Sequence, residues 1–254
     1  MRSTTERRLL VEQAGELVHR GVLESGGGAL SVRLEDGTIL MSTTGLAFRG
    51  WRHITVEDFI VLTPTGEIVE QTGGLGAAGT VLHLAVYAHL PRCGGIVHAH
   101  SPYATTFASL GVAPPSVVNR HDVLGAVPVV AVDDTAIKAR LTPDDLPLPI
   151  PAGIVANPAP YVINRALLPQ VLDALLPRAQ ELTRHGLAFL IYRHGLMTIG
   201  RTIHEAVDNA YRVEDNARIA LYRALLTGDL TRVCGNPLFE PISDAARVSA
   251  SASG

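Results

Sequence analysis

The stretch Gly94–His100, GGIVHAH, is an apolar run that ends in two histidines and passes at once into Ser101-Pro102. Glycines bounding a short apolar run predict a buried strand, and serine followed by proline predicts a capped helix start. YATTFASLG is then a short helix stopped at Gly111. LAFLIYRHG repeats the arrangement, an apolar strand ending on His194. Strands that alternate with helices bury their faces best in layers, so the chain reads as an α/β layer sandwich.

The remaining chain follows the same grammar. Leu10, Ala14 and Leu17 are spaced as one face of a helix over residues 5–19, and Gly21 follows as its stop. SGGGALSVRLEDGTILMSTTG predicts two strands around a turn at Glu35-Asp36-Gly37, and FIVLTPTGEIVE predicts two more around Thr65-Gly66. TVLHLAVYAHL is helical, with Val81, Leu84, Ala85 and Ala88 as its apolar face and Pro91 as its end. VLGAVPVVAV predicts a further buried strand. Residues 143–160 are proline-rich and read as a long surface connection. LLPQVLDALLPRAQELTRHG is helical, and Thr202 with Glu205 forms a capping box for a last long helix striped by Ala206, Ala210, Val213, Ala217 and Ala224. No linker splits the chain, so one domain is expected over residues 1–235, with 236–254 a tail that is disordered at its end.

The composition excludes several function classes. A length of 254 residues with 47% apolar and 18% charged residues describes a globular protein, and a net charge of -3 gives no footing for nucleic acid. The charged N-terminus carries no apolar run for a signal peptide or membrane span, so a cytoplasmic location without membrane association is expected. Cys93 and Cys234 have no CxxC partner and read as free thiols.

His98 and His100 project to the same side of their strand, about 7 Å apart along it. Imidazole is the usual nitrogen ligand of Zn, Fe, Ni and Cu, and a third histidine completes one face of a metal site. Spacing alone leaves open two ordinary strand histidines, and His194 alone reads equally well as a loop residue. His83, on a helix beside Tyr87, reads as a packing or hydrogen-bonded histidine.

In order along residues 5–228, GGGALSVRL, STTG, FIVLTPTGEIVE, His83 with Tyr87, GGIVHAHSPYAT, GAVPV and RHGLMTIG resemble the class II aldolase/adducin family. The resemblance implies an α/β/α sandwich around a mainly antiparallel sheet, a homotetramer with sites between subunits, and one divalent ion on His98, His100 and His194. It places Thr44, Gly45, Ala77, Ala78 and Gly79 in the substrate-binding wall.

The family's sugar-phosphate aldolases carry Ser-Ser-Glu where this chain has Ala77, Ala78 and Gly79, and an asparagine where it has Ala29. Alanine and glycine can neither accept a proton nor donate side-chain hydrogen bonds to phosphate. A retained metal set beside a lost base leads to the expectation of an Fe(II) oxygenase that decarboxylates a non-phosphorylated aromatic, prenylated 2-oxo or 2-hydroxy acid with dioxygen. This is the route of the family's iron oxygenases of aminocoumarin antibiotic biosynthesis. The alternative is a lyase, an aldolase or decarboxylase, using Zn or another divalent ion. Its base would come from His121 or Asp122, with Arg120 pairing a substrate carboxylate. A third alternative is an adducin-like binding module, which the retained histidines disfavour.

Overall fold

The computed structural model of the protein describes residues 1–23, 27–43, 49–140 and 158–229. Its strands are β1 (Ala29–Arg33), β2 (Ile39–Ser42), β3 (Phe59–Leu62), β4 (Ile68–Gln71), β5 (Gly95–Ala99), β6 (Val129–Val130), β7 (Leu187–Ile191) and β8 (Gly195–Gly200). Its helices are α1 (Thr4–His19), α2 (Thr80–His89), α3 (Pro102–Leu110), α4 (Asn119–Asp122), α5 (Asp134–Arg140), α6 (Pro158–Leu175) and α7 (Ile203–Thr227). The strands form one sheet in the order β4-β3-β2-β1-β5-β8-β7-β6. Its pairings are antiparallel except β6 with β7.

Both faces of the sheet are covered, which explains why β5, β7 and β8 are buried at every residue. On one face Leu10 of α1, Phe107 of α3 and Ala210 of α7 pack with Val97 and Ala99 of β5. On the other, Val86 of α2 and Leu167 and Val171 of α6 pack with Ile96 and Phe189. The expected three-layer sandwich with a mainly antiparallel sheet is therefore observed.

Four local expectations change. In α2 the buried face is Leu82, His83, Val86 and Tyr87, while Val81, Leu84 and Ala85 are half-buried and Ala88 is exposed. This helix is apolar on nearly every side, so periodicity could not choose the face that meets the sheet. The strand expected in VLGAVPVVAV shrinks to two residues, because Pro128 has no N–H to extend a ladder. Ser101 opens α3 without a side-chain cap bond, and the carboxylate of Glu214 on α7 takes that role. It accepts the N–H groups of Tyr103 at 2.9 Å and Ala104 at 2.8 Å. At α7, Thr202 accepts the Glu205 N–H at 3.3 Å as the capping box requires, but Glu205 accepts the N–H of Arg201 rather than that of Thr202. No helix among the described residues is long and apolar enough to cross a membrane. Of the proline-rich connection expected over residues 143–160, residues 143–157 lie outside the described residues, as does the tail 236–254, while Pro158–Pro160 are the first turn of α6 rather than connection.

Candidate metal centre

His98 stands on β5 and His100 just beyond that strand's end, while His194 closes the turn between β7 and β8. Because β5 pairs with β8, with His98 opposite Met197, the turn carrying His194 comes back over the end of β5. The three Nε2 atoms then form a small triangle. His98 to His194 is 3.0 Å, and His100 is 3.3 Å from each. Two donors each about 2.0–2.1 Å from one ion lie about 3.0 Å apart at a right angle and about 3.4 Å apart at a tetrahedral angle. The triangle has the dimensions of three ligands of a single first-row ion, and these residues form the cluster of potential metal ligands found among the described residues.

The environment of the rings fits a ligand role. His98 Nδ1 lies 3.0 Å from the carbonyl oxygen of Leu196, which can only accept, so Nδ1 carries the proton and Nε2 presents its lone pair. Burial pushes the pKa of all three rings down. His98 falls well below the usual imidazole value, lowered further by His194 and His100, and His194 falls to about 4. Neutral imidazole is the form that binds metal.

Glycines let the backbone close around the rings. At Gly27, whose φ is +125°, an added Cβ would lie 2.6 Å from His100 Nδ1. Gly27 is in turn held by buried Trp51, whose indole N–H donates to its carbonyl at 2.6 Å.

The imidazoles open into a cavity of about 280 Å³. Ala29, Ala77, Ala78, Gly79 and Trp51 form its apolar wall, and Thr43 and Asn164 are its polar side chains besides the histidines. The Thr43 hydroxyl is buried with no partner among the described residues. No Lys, Arg, Asp or Glu lines this cavity among the described residues. Thr44 and Gly45 lie outside the described residues.

Arg120, His121 and Asp122 are not brought to this cavity within their own chain. They form α4, which packs on α7 across the sheet from the imidazoles, where Arg120 pairs with Asp215 and Arg212 bonds the Arg120 carbonyl. Ser116 Oγ donates to Asp122 at 2.6 Å and lies 3.1 Å from Nδ1 of buried His121. His83 is fully buried but outside the triangle, with Nδ1 2.8 Å from Ser31 Oγ, which lies 2.9 Å from the Tyr87 hydroxyl.

Gly27, Thr43, Trp51 and Asn164 are cavity residues that sequence reasoning did not single out. The glycine run and the chain's one tryptophan were available as signals. Asn164 had none, since a polar residue in a helix ordinarily faces solvent.

A family model described as the class II aldolase and adducin N-terminal domain matches residues 8–221. A 3-oxo-tetronate 4-phosphate decarboxylase of Haemophilus influenzae is 27% identical over 226 residues, covering 86% of this chain and 88% of the relative. An L-ribulose-5-phosphate 4-epimerase of Salmonella paratyphi C is 26% identical over 222 residues, covering 86% and 80%. Among solved structures, an L-fuculose 1-phosphate aldolase superposes with a TM-score of 0.65 at 19% identity, covering 100% of this chain and 99% of that one, a likeness of fold.

Proposed function

The chain belongs to the class II aldolase and adducin family, and from that premise we propose that it is a divalent-metal lyase that decarboxylates a non-phosphorylated 3-oxo acid. The observation that carries this reading is a cavity with three convergent imidazoles and no protein base along its described lining. Retro-aldol cleavage and epimerisation both begin with a proton taken from the substrate, which demands a positioned base. Loss of CO2 from a 3-oxo acid demands none, since the electron pair of the breaking C–C bond flows toward the adjacent carbonyl oxygen and only that negative charge must be stabilised. A divalent ion supplies that stabilisation as a Lewis acid, with Zn the leading choice and Fe(II) the alternative.

The chain's own residues do the rest. His98, His100 and His194 hold the ion as neutral ligands. The wall of Ala29, Ala77 and Ala78 makes a carboxylate costly to keep charged and costs nothing for neutral CO2. The same wall offers no side-chain donor or cation to a phosphate dianion. The decarboxylase relative acts on a phosphorylated 3-oxo acid, so the reaction class is shared and the phosphate is not. The oxygenase expectation rests on the retained imidazoles, the lost base and a resemblance to the family's iron oxygenases, whereas a decarboxylase stands among the relatives.

The decisive experiment loads the protein with Zn or Fe(II) and follows CO2 release from a panel of 3-oxo acids with and without oxygen. Undiminished anaerobic release is expected. Turnover only with Fe(II) and oxygen would replace this reading with the oxygenase. A catalytic part for His121 or Asp122 would require a second subunit of a homotetramer to bring them to this cavity. Asp122→Asn is expected to leave kcat within about twofold, and a loss of 100-fold or more (on the order of one acid-base contribution) would show that a neighbouring subunit completes the site.

A further inference from the structure

A second cavity, of about 220 Å³, adjoins the first and shares Pro160, Asn164 and His194 with it. We propose that Arg193, facing this side lobe, binds a second and remote carboxylate of the substrate, which makes the preferred substrate a dicarboxylic oxo acid. For the reaction, the inference rests on the lyase reading given above. The assignment of the carboxylate site does not.

The first observation is charge. Asp134, Lys138 and Arg193 line the lobe, so two cations share one carboxylate. Asp134 binds Lys138 at 2.7 Å and is 3.7 Å from the nearest Arg193 nitrogen, a loose contact that among the described residues leaves the guanidinium fork able to take another anion. Ile163, Leu167 and Ile191 give the lobe an apolar side that suits a short methylene chain, while Asn164, Tyr192 and His194 are its other polar residues. The neighbouring metal cavity has the opposite character, without a cationic side chain along its described lining. A remote anion therefore has its partner on the Arg193 side.

The second observation is backbone strain. Arg193 has φ +53°, and the only other non-glycine residue with positive φ among the described residues is Ser3, near the chain's start. The His194 N–H donates to the Ile191 carbonyl at 3.0 Å, closing a turn whose third position is Arg193, a position that favours glycine or asparagine. A strained arginine next to a metal-binding histidine is accounted for if its side chain has work to do in the lobe.

The test compares binding to the Zn-loaded protein by calorimetry. The probes are 2-oxoglutarate and 2-oxoadipate against 2-oxopentanoate and 2-oxohexanoate, chains of equal length with and without the second carboxylate. All share a metal-chelating head and none is a 3-oxo acid, so the result stands whether or not the lyase reading does. The diacids are expected to bind about tenfold or more tightly. Arg193→Asn, which suits the turn, is expected to abolish that gap while leaving the monoacid Kd and the bound Zn unchanged. If Arg193→Asn loses Zn, Arg193→Gly relieves the same strain and takes its place. Equal affinities in the wild-type protein, a gap that survives in the variant, or no measurable binding of any of the four acids would each overturn the proposal.

Discussion

The imidazole triangle and the Ser31–His83–Tyr87 network stand on the same face of the sheet, and both are built on buried histidine. In both, burial drives the imidazole pKa down, to about 3 for His83 and about 4 for His194. They differ in what meets the ring. Ser31 satisfies His83 Nδ1, and His83 Nε2 is buried without a partner among the described residues, so the ring stands alone. At the triangle three Nε2 atoms meet within 3.3 Å, an arrangement that one shared cation would relieve. Burial is common to both regions, and convergence is what sets the triangle apart.

The sharpest way to break that comparison is to remove one ring from each region. His100→Ala is expected to lower metal affinity by more than about 100-fold, beyond the range that outer-shell changes reach, with the far-UV circular dichroism unchanged. Metal analysis after dialysis checks this, and full retention of the ion would mean that the triangle is not a ligand set. Gly27→Ala should produce a smaller loss, about 10- to 100-fold in affinity, because the added methyl must displace the His100 ring while all three ligands remain. A zinc titration against a chromogenic chelator measures it.

His83→Ala should act on stability and leave metal content alone. At neutral pH it should cost about 1–3 kcal/mol, since Ser31 and Tyr87 lose a buried partner. The pH dependence adds a signature. With the folded-state value near 3 and an unfolded value of 6.5, His83 takes up a proton in the unfolded chain before it does so in the folded one. The wild type therefore loses stability as pH falls from about 6.5 toward 3, by about 1.4 kcal/mol per pH unit from this group. The variant lacks that contribution, so its penalty should shrink as the solution is acidified in urea denaturation experiments. A constant difference from pH 7 to 4 would show that His83 does not stay neutral in the fold.

Much of the fold was legible because it rests on local chemistry. Strand runs bounded by Gly37 and Gly66, the Thr202 cap and the alanine stripe of α7 each declare themselves within a few residues. The buried face of α2 was not legible, since an all-apolar helix offers no contrast to read. Nor was the cap of α3, because Glu214 lies 111 residues from Tyr103 along the chain. Asn164 and Arg193 were invisible for the same reason. What each lines is decided by the approach of α5, α6 and the β7–β8 turn.

By itself the amino-acid order determined which atoms were on offer: imidazole nitrogens at strand ends, and only methyl groups or hydrogens at Ala29, Ala77, Ala78 and Gly79. Side-chain chemistry is a property of the residue, so a missing carboxylate or hydroxyl is certain from the letter alone. Only the tertiary structure decided that His194, almost a hundred positions later (96 from His98), meets His98 at 3.0 Å, while Arg120, His121 and Asp122 pack against α7 instead. The reason is that sheet register and helix docking set distances between segments through the packing of the whole core, and neither is encoded in any one stretch of chain.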